Sequence, residues 1–219
     1  MLNNGSGRAN LLQSRARNLL ATSTLAIVWI AALCFGLRNL LSYESTPGPA
    51  GAVPQSWPRS QIQRANDRPT LVMLAHPRCP CTRGSMGELA KIMAVVPGKV
   101  TAYVLFFTPR RSGPDWDDTD LRRSAAAIPG VTVFSDINGE EAKRFGAETS
   151  GQTLLFDAGG RLLFSGGITA SRGHAGGNDG ESAIVSLISH RGVARTRTFV
   201  FGCSLAGGKQ MTKGAKCFP

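Results

Sequence analysis

The chain has 219 residues, 42% of them hydrophobic and 18% charged, which suits one folded domain with an appendage and excludes a disordered chain. Its formal net charge is +11, but no helix or loop concentrates Lys and Arg among aromatic residues. The excess therefore points to an anionic lipid surface or an acidic partner, and not to nucleic acid.

Leu19 to Leu37 ("LLATSTLAIVWIAALCFGL") carries no charge. As a helix it spans about 28 Å, close to the hydrocarbon thickness of a bilayer. Arg8, Arg15 and Arg17 precede it, so the N-terminus is expected inside and the rest outside the cytoplasmic membrane, on the periplasmic-type face. A cleaved signal peptide is the rival, with "TPGPAGA" as its weak cleavage site. The expected organisation is a cytoplasmic stretch over 1–18, an anchor over 19–41, a Pro/Gly-rich linker over 42–60, an α/β domain over 61–192 and a basic tail over 193–219.

From Pro69 the pattern alternates. "TLVMLA" (70–75) reads as a buried strand, 80–96 as a helix with Met86, Leu89, Ile92 and Met93 on one face, and "KVTAYVLFF" (99–107) as a second strand. A polar loop leads to a short helix near 119–127, capped by Asp118 or Thr119. "VTVFSD" is a third strand; Asn138 is expected to cap "GEEAKRF", and Gly146 to stop it. "QTLLFD" and "RLLFSGG" form a hairpin through "AGG", and "ESAIVSLISH" is a last helix ended by Gly192. Parallel strands need helical crossovers, and the hairpin adds an antiparallel edge, so the fold class is α/β: a mixed sheet flanked by helices, behind one transmembrane helix.

Five cysteines are present. With Cys34 in the membrane, Cys79, Cys81, Cys203 and Cys217 lie in an oxidising compartment, and their connectivity is not fixed by the sequence. A Cys203–Cys217 bridge stapling the tail is the economical pairing; a resolving role for Cys203 at Cys79 is the alternative. In "HPRCPCTRGS", Cys79 falls at a helix start, where free backbone N–H groups favour a thiolate. It is expected to be accessible there, with Pro80 as the first helical residue and Arg78 and Arg83 adding positive charge. A Cys79–Cys81 bond closes a small, strained ring, so the pair is either a labile redox couple or a metal-holding pair.

"TLVMLAHPRCPCTRGSMGEL" resembles the thioredoxin-family run in which a strand ends in a Cys-x-x-Cys loop that opens a helix, and "GQTLLFDAGGRLLFSGG" resembles that family's later hairpin. The stretch from about 60 to 205, with "RSAAAIPGVTV" and "SGGITASRGHAGGN", is similar to membrane-anchored thioredoxin-like proteins labelled RedB. Aligned on "GEL", Cys79 takes the attacking position, Thr82 the resolving one, and Cys81 a variable position between them. Where that family usually has a cis-proline, this sequence has Gln152, for which an ordinary trans peptide is expected.

The resemblance implies a membrane-tethered thiol–disulfide oxidoreductase acting on a protein thiol or disulfide partner, with Cys79 as nucleophile, Cys81 or Cys203 resolving, and no cofactor required. The alternative is a Cu(I) metallochaperone using Cys79, Cys81 and His174, since copper-delivery proteins of this fold pair two cysteines at the helix start with a distant histidine. Their Cys-x-x-x-Cys spacing differs from the one here. His76, His190, Arg172 and the Asp115–Asp120 cluster are read as turn, helix-end, surface and capping residues.

Overall fold

The computed structural model describes residues 5–113, 115–116, 118–192 and 195–205. The chain divides into two compact units, Met1–Ser42 and Tyr43–Pro219.

The first unit is built on helix α1 (Gly5–Ser45). Leu19, Leu20, Leu25, Ile27, Trp29, Leu33 and Phe35 are all exposed along it, so apolar side chains point in every direction. A helix apolar on all sides needs an apolar surrounding. From Leu12 to Ser45 it is long and apolar enough to cross a membrane.

The second unit is a five-stranded sheet with strand order β3-β2-β1-β4-β5, composed of β1 (Thr70–Ala75), β2 (Thr101–Thr108), β3 (Val131–Ile137), β4 (Gln152–Phe156) and β5 (Leu162–Gly166). β1, β2 and β3 run parallel, while β4 is antiparallel to both β1 and β5. This is the mixed α/β sheet that the alternating pattern predicts, in the thioredoxin-like order that the resemblance implies. The two-residue period of a strand gives each sheet face its own core. Leu71, Met73, Val104 and Phe106 face α2 (Thr82–Val95), α3 (Asp120–Ala126) and α5 (Asp179–Ile188). Val72, Leu74, Leu105, Leu154 and Phe156 face the other side, where, among the described residues of this unit, the helix is the five-residue α4 (Glu140–Arg144).

So short a helix cannot cover a sheet face, and this corrects the linker expectation. Residues 48–62 lie on the domain rather than acting as a spacer. Val53, Trp57 and Ile62 complete that second core, and Trp57 packs edge-on against Phe145 and Phe156 at 5.2 and 5.1 Å between ring centroids. Gly48 pairs with Val200, and Trp57 N–H donates to Gly160 C=O at 2.7 Å. The tail is likewise packed as far as Leu205: Val200, Phe201, Cys203 and Leu205 are buried.

Two helix ends differ from expectation. Asn138 does not cap α4; Asp136 does, its two carboxylate oxygens accepting from the N–H groups of Glu141 and Ala142 at 2.8 and 2.9 Å. Asn138 instead takes φ 57° and accepts from the Arg110 N–H. α5 ends at Ile188, where His190 rather than Gly192 adopts the left-handed conformation, with φ 54°. Thr119 caps α3, accepting from Arg122 N–H at 3.2 Å, and Gly146 follows α4 with φ 64°.

Candidate functional site

The site sits where β1 hands over to α2. After Ala75 the chain turns, Cys79 N–H donating to His76 C=O at 3.1 Å and Thr82 N–H to Cys79 C=O at 3.2 Å. α2 starts at Thr82, two residues later than expected, so Pro80 lies in the turn ahead of it, and Cys81 takes the N-cap position without a side-chain cap bond. Cys79 thus lies at the N-terminal end of α2, as the motif predicts.

Its accessibility does not match the expectation. Cys79 is 2% exposed, and Cys81 and Cys203 are 7% and 8% exposed. Among the described residues, the cover of Cys79 includes the segment 200–205, which the sequence read as tail and whose Cys203 joins Cys79 and Cys81 in one buried cluster. Ser150 N–H donates to Cys203 C=O at 2.8 Å, Leu205 N–H donates to Glu148 C=O at 2.9 Å, and Thr149 bridges Ser204 antiparallel. This pairing sets the Cys203 Sγ 3.0 Å from the Cys79 Sγ. Cys203 is disulfide-bonded, whereas Cys34, Cys79 and Cys81 are free thiols. Cys217, its economical partner by sequence, lies outside the described residues, as does Asp117 of the acidic cluster.

The electrostatics separate the two free thiols of the site. Cys79 is pushed down from 9.0 to about 5, chiefly because the Cys81 S–H donates to it; burial opposes this, and the Thr82 hydroxyl and the N–H groups of Cys203 and Thr82 add to it. Cys81 moves the opposite way, held protonated by that same bond, by burial and by the neighbouring thiolate, with Arg172 as a partial offset. Hydrogen bonds to the charged form, not remote cations, lower the Cys79 thiol. The expectation for Arg78 and Arg83 is corrected accordingly: Arg78 lies 4.1 Å over the Trp116 ring, and Arg83 pairs with Asp120 at 2.6 Å.

Thr82 and Gln152 act as supports. A run of donors ends on the thiolate: His76 N–H donates to Ser150 Oγ at 2.7 Å, Ser150 Oγ meets Thr82 Oγ1 at 2.6 Å, and Thr82 donates to Cys79. Such chains polarise one another. The buried Gln152, joined by a trans peptide, donates to Ala50 C=O and accepts from Glu148 N–H, bracing the 148–151 loop. His76 is half-buried, stacked 5.8 Å from Phe107, and its ring is pushed below the usual range by burial.

Two residues escaped the sequence reading. Ser150 links three elements of the site. Arg172, read as surface, is half-buried beside Cys81; it donates to Tyr43 C=O at 3.1 Å and to Gly202 C=O. No local motif marks either one. Buried Glu88 holds the glycine-rich loop that carries Arg172, accepting from Gly176 N–H at 2.8 Å.

His174, on the same loop, is exposed. Among the described residues, the metal-capable ligand atoms that gather are the sulfurs of Cys79, Cys81 and Cys203, all within 4.8 Å of one another. His174 does not join them.

Gly202 permits the close seating of the covering segment, since a Cβ there would lie 1.9 Å from Ser150 C=O. Gly202→Ala is expected to lift the segment and raise the alkylation rate of Cys79 about tenfold or more, equivalent to roughly 1.4 kcal/mol of lost closure. An unchanged rate in timed alkylation with mass detection would show that the segment does not guard the thiol.

Sheet order and cysteine placement together define a thioredoxin-like fold with a cysteine pair at the head of α2. The chain is similar in structure to a hypothetical protein of Sinorhizobium meliloti, at 17% identity and TM-score 0.58 over 74% of this chain and 98% of that one. It is also similar to an uncharacterized conserved protein of Geobacillus kaustophilus, at 18% identity and TM-score 0.54 over 77% and 97%. A secreted Mycobacterium tuberculosis disulfide oxidoreductase homologous to E. coli DsbE overlaps less, at 13% identity and TM-score 0.40 over 57% and 82%. No protein-family model and no curated protein matches the sequence.

Proposed function

We propose that this protein is a thiol–disulfide oxidoreductase of RedB-like type, tethered by α1 with its domain on the outer face of the cytoplasmic membrane and acting on a protein thiol or disulfide partner. Cys79 is the nucleophile. The observation that carries this reading is the thiolate-favouring set around Cys79, with a Cys81 S–H, a Thr82 hydroxyl and backbone N–H groups converging on one sulfur. Cys81 keeps its proton at neutral pH and is available to resolve a mixed disulfide once deprotonated. The test is exchange of the purified chain with a glutathione couple, which Cys79→Ser is expected to abolish.

The sulfur cluster favours a second reading, Cu(I) binding, in altered form. While Cys203 is disulfide-bonded only two thiols remain, so the set fits a soft metal only after reduction, with Cys203 replacing His174 as third ligand. Anaerobic titration of the reduced chain is expected to show one tight equivalent, weakened in Cys203→Ser and unaffected in His174→Ala. Loss of binding in His174→Ala would sink this ligand set.

A further inference from the structure

We propose that the Cys203 disulfide is a resident exchange partner of Cys79: the segment 200–205 is docked as an internal substrate, and attack of the Cys79 sulfur on Cys203 passes the disulfide inward. The inference rests on Cys79 being the nucleophile. It goes further in naming the first disulfide that nucleophile meets.

Three independent observations carry it. The first is distance. The two sulfurs are 3.0 Å apart, within the range from which a held pair of reacting atoms proceeds to attack. The second is attachment. Cys203 is fixed by strand-like pairing, through the Ser150–Cys203 and Glu148–Leu205 backbone bonds, and further by Gly48 N–H to Val200 C=O at 2.8 Å and by Arg172 to Gly202 C=O. The backbone that carries the Cys203 sulfur is therefore held beside Cys79 by the docked segment. The third is enclosure. Cys79 is 2% exposed and shares one buried cluster with Cys81 and Cys203, so its sulfur is shielded from an external disulfide while that cluster is closed. Among the described residues, the disulfide sulfur in reach is that of Cys203.

The chemistry balances without an added oxidant. The Cys79 thiolate attacks the Cys203 Sγ and a Cys79–Cys203 bond forms. The existing Cys203 disulfide breaks, and its other sulfur leaves as a thiolate that takes a proton from water. One disulfide replaces another, so the two-electron oxidation moves from Cys203's former partner to Cys79. Cys81 retains its proton through this step and lies within 4.8 Å of both sulfurs, placed to act on the new bond later. An external dithiol that reduces the Cys79–Cys203 bond then returns the site to free thiols. The arrangement gives the protein two exchange points, the bond that leaves and the bond that forms, coupled through Cys203.

The experiment uses the full chain in detergent micelles, equilibrated in glutathione couples from oxidising to reducing, quenched in acid, alkylated, digested and mapped by mass spectrometry. Wild type and Cys81→Ser are run side by side. The expected result is a Cys79–Cys203 linked peptide in both chains, reaching about one chain in ten or more at an intermediate poise. If Cys79 forms a glutathione adduct while no Cys79–Cys203 peptide occurs at any poise, the internal exchange is overturned and the oxidoreductase reading stands. If Cys79 enters no disulfide of any kind, both fall.

Discussion

Cys79→Ser is expected to reduce thiol–disulfide exchange by at least about a thousandfold, because a serine hydroxyl is not ionised near neutral pH and only the anion attacks a disulfide sulfur. The substitution is nearly isosteric in a site where the thiol is 2% exposed, so the loss belongs to chemistry rather than to folding. A far-ultraviolet spectrum and thermal midpoint matching wild type would verify that. The comparison that gives this result meaning is Cys81→Ser. Serine there retains a hydroxyl donor facing Cys79, so exchange is expected to persist with its resolution step slowed and a mixed disulfide accumulating. Single-turnover reaction with a glutathione couple, followed by mass detection of adducts, separates the two variants. If Cys81→Ser proves dead and Cys79→Ser active, the roles are reversed, and the proton assignment between the two sulfurs is wrong.

Much of the framework could be read residue by residue. The runs at 70–75 and 99–107 are apolar enough on both faces to be central strands, and they are β1 and β2. The Gly-rich turn before "RLLFSGG" gives the β4–β5 hairpin. What was misread depends on contacts distant in the chain. Residues 44–60 have a linker's composition, and nothing local reveals that Trp57 stands in for a missing helix on the α4 face. Asn138 and Asp136 are both plausible caps by type; the left-handed turn at Asn138 carries its side chain to Arg110 and leaves the cap to Asp136. At the site, Cys79 is legible because strand, turn and helix are contiguous. Cys203 lies 124 positions away, and its seat on the 148–150 edge exists only once β4 is in place. Arg172 and Ser150 are hidden for the same reason. Local pattern marks the cysteine pair at the helix start, and tertiary pairing supplies what surrounds it.

Cys81→Ala is expected to move the midpoint of the Cys79 reactivity profile upward from about 5 by at least about one pH unit, since it removes the largest of the donors that hold the thiolate. The direction follows from the sign of the bond. A donor to the anion favours the charged form, so deleting it lets burial, which favours the neutral thiol, weigh more. In wild type the alkylation rate is expected to be flat above about pH 6 and to fall only as the medium becomes acid enough to protonate Cys79. In Cys81→Ala the fall begins closer to neutrality. Thiolate nucleophilicity rises with basicity, with a slope of about 0.4–0.5, so the variant's plateau at alkaline pH should exceed that of wild type. The two profiles therefore cross, with the variant slower near pH 5 and faster near pH 8. A covering segment that merely loosened in the variant would scale the whole profile without moving its midpoint, because the seated form dominates the titration. Parallel profiles with a common midpoint would mean that Cys81 is not the donor, and the electrostatic basis for Cys79 as nucleophile would then rest on Thr82 and the backbone N–H groups alone.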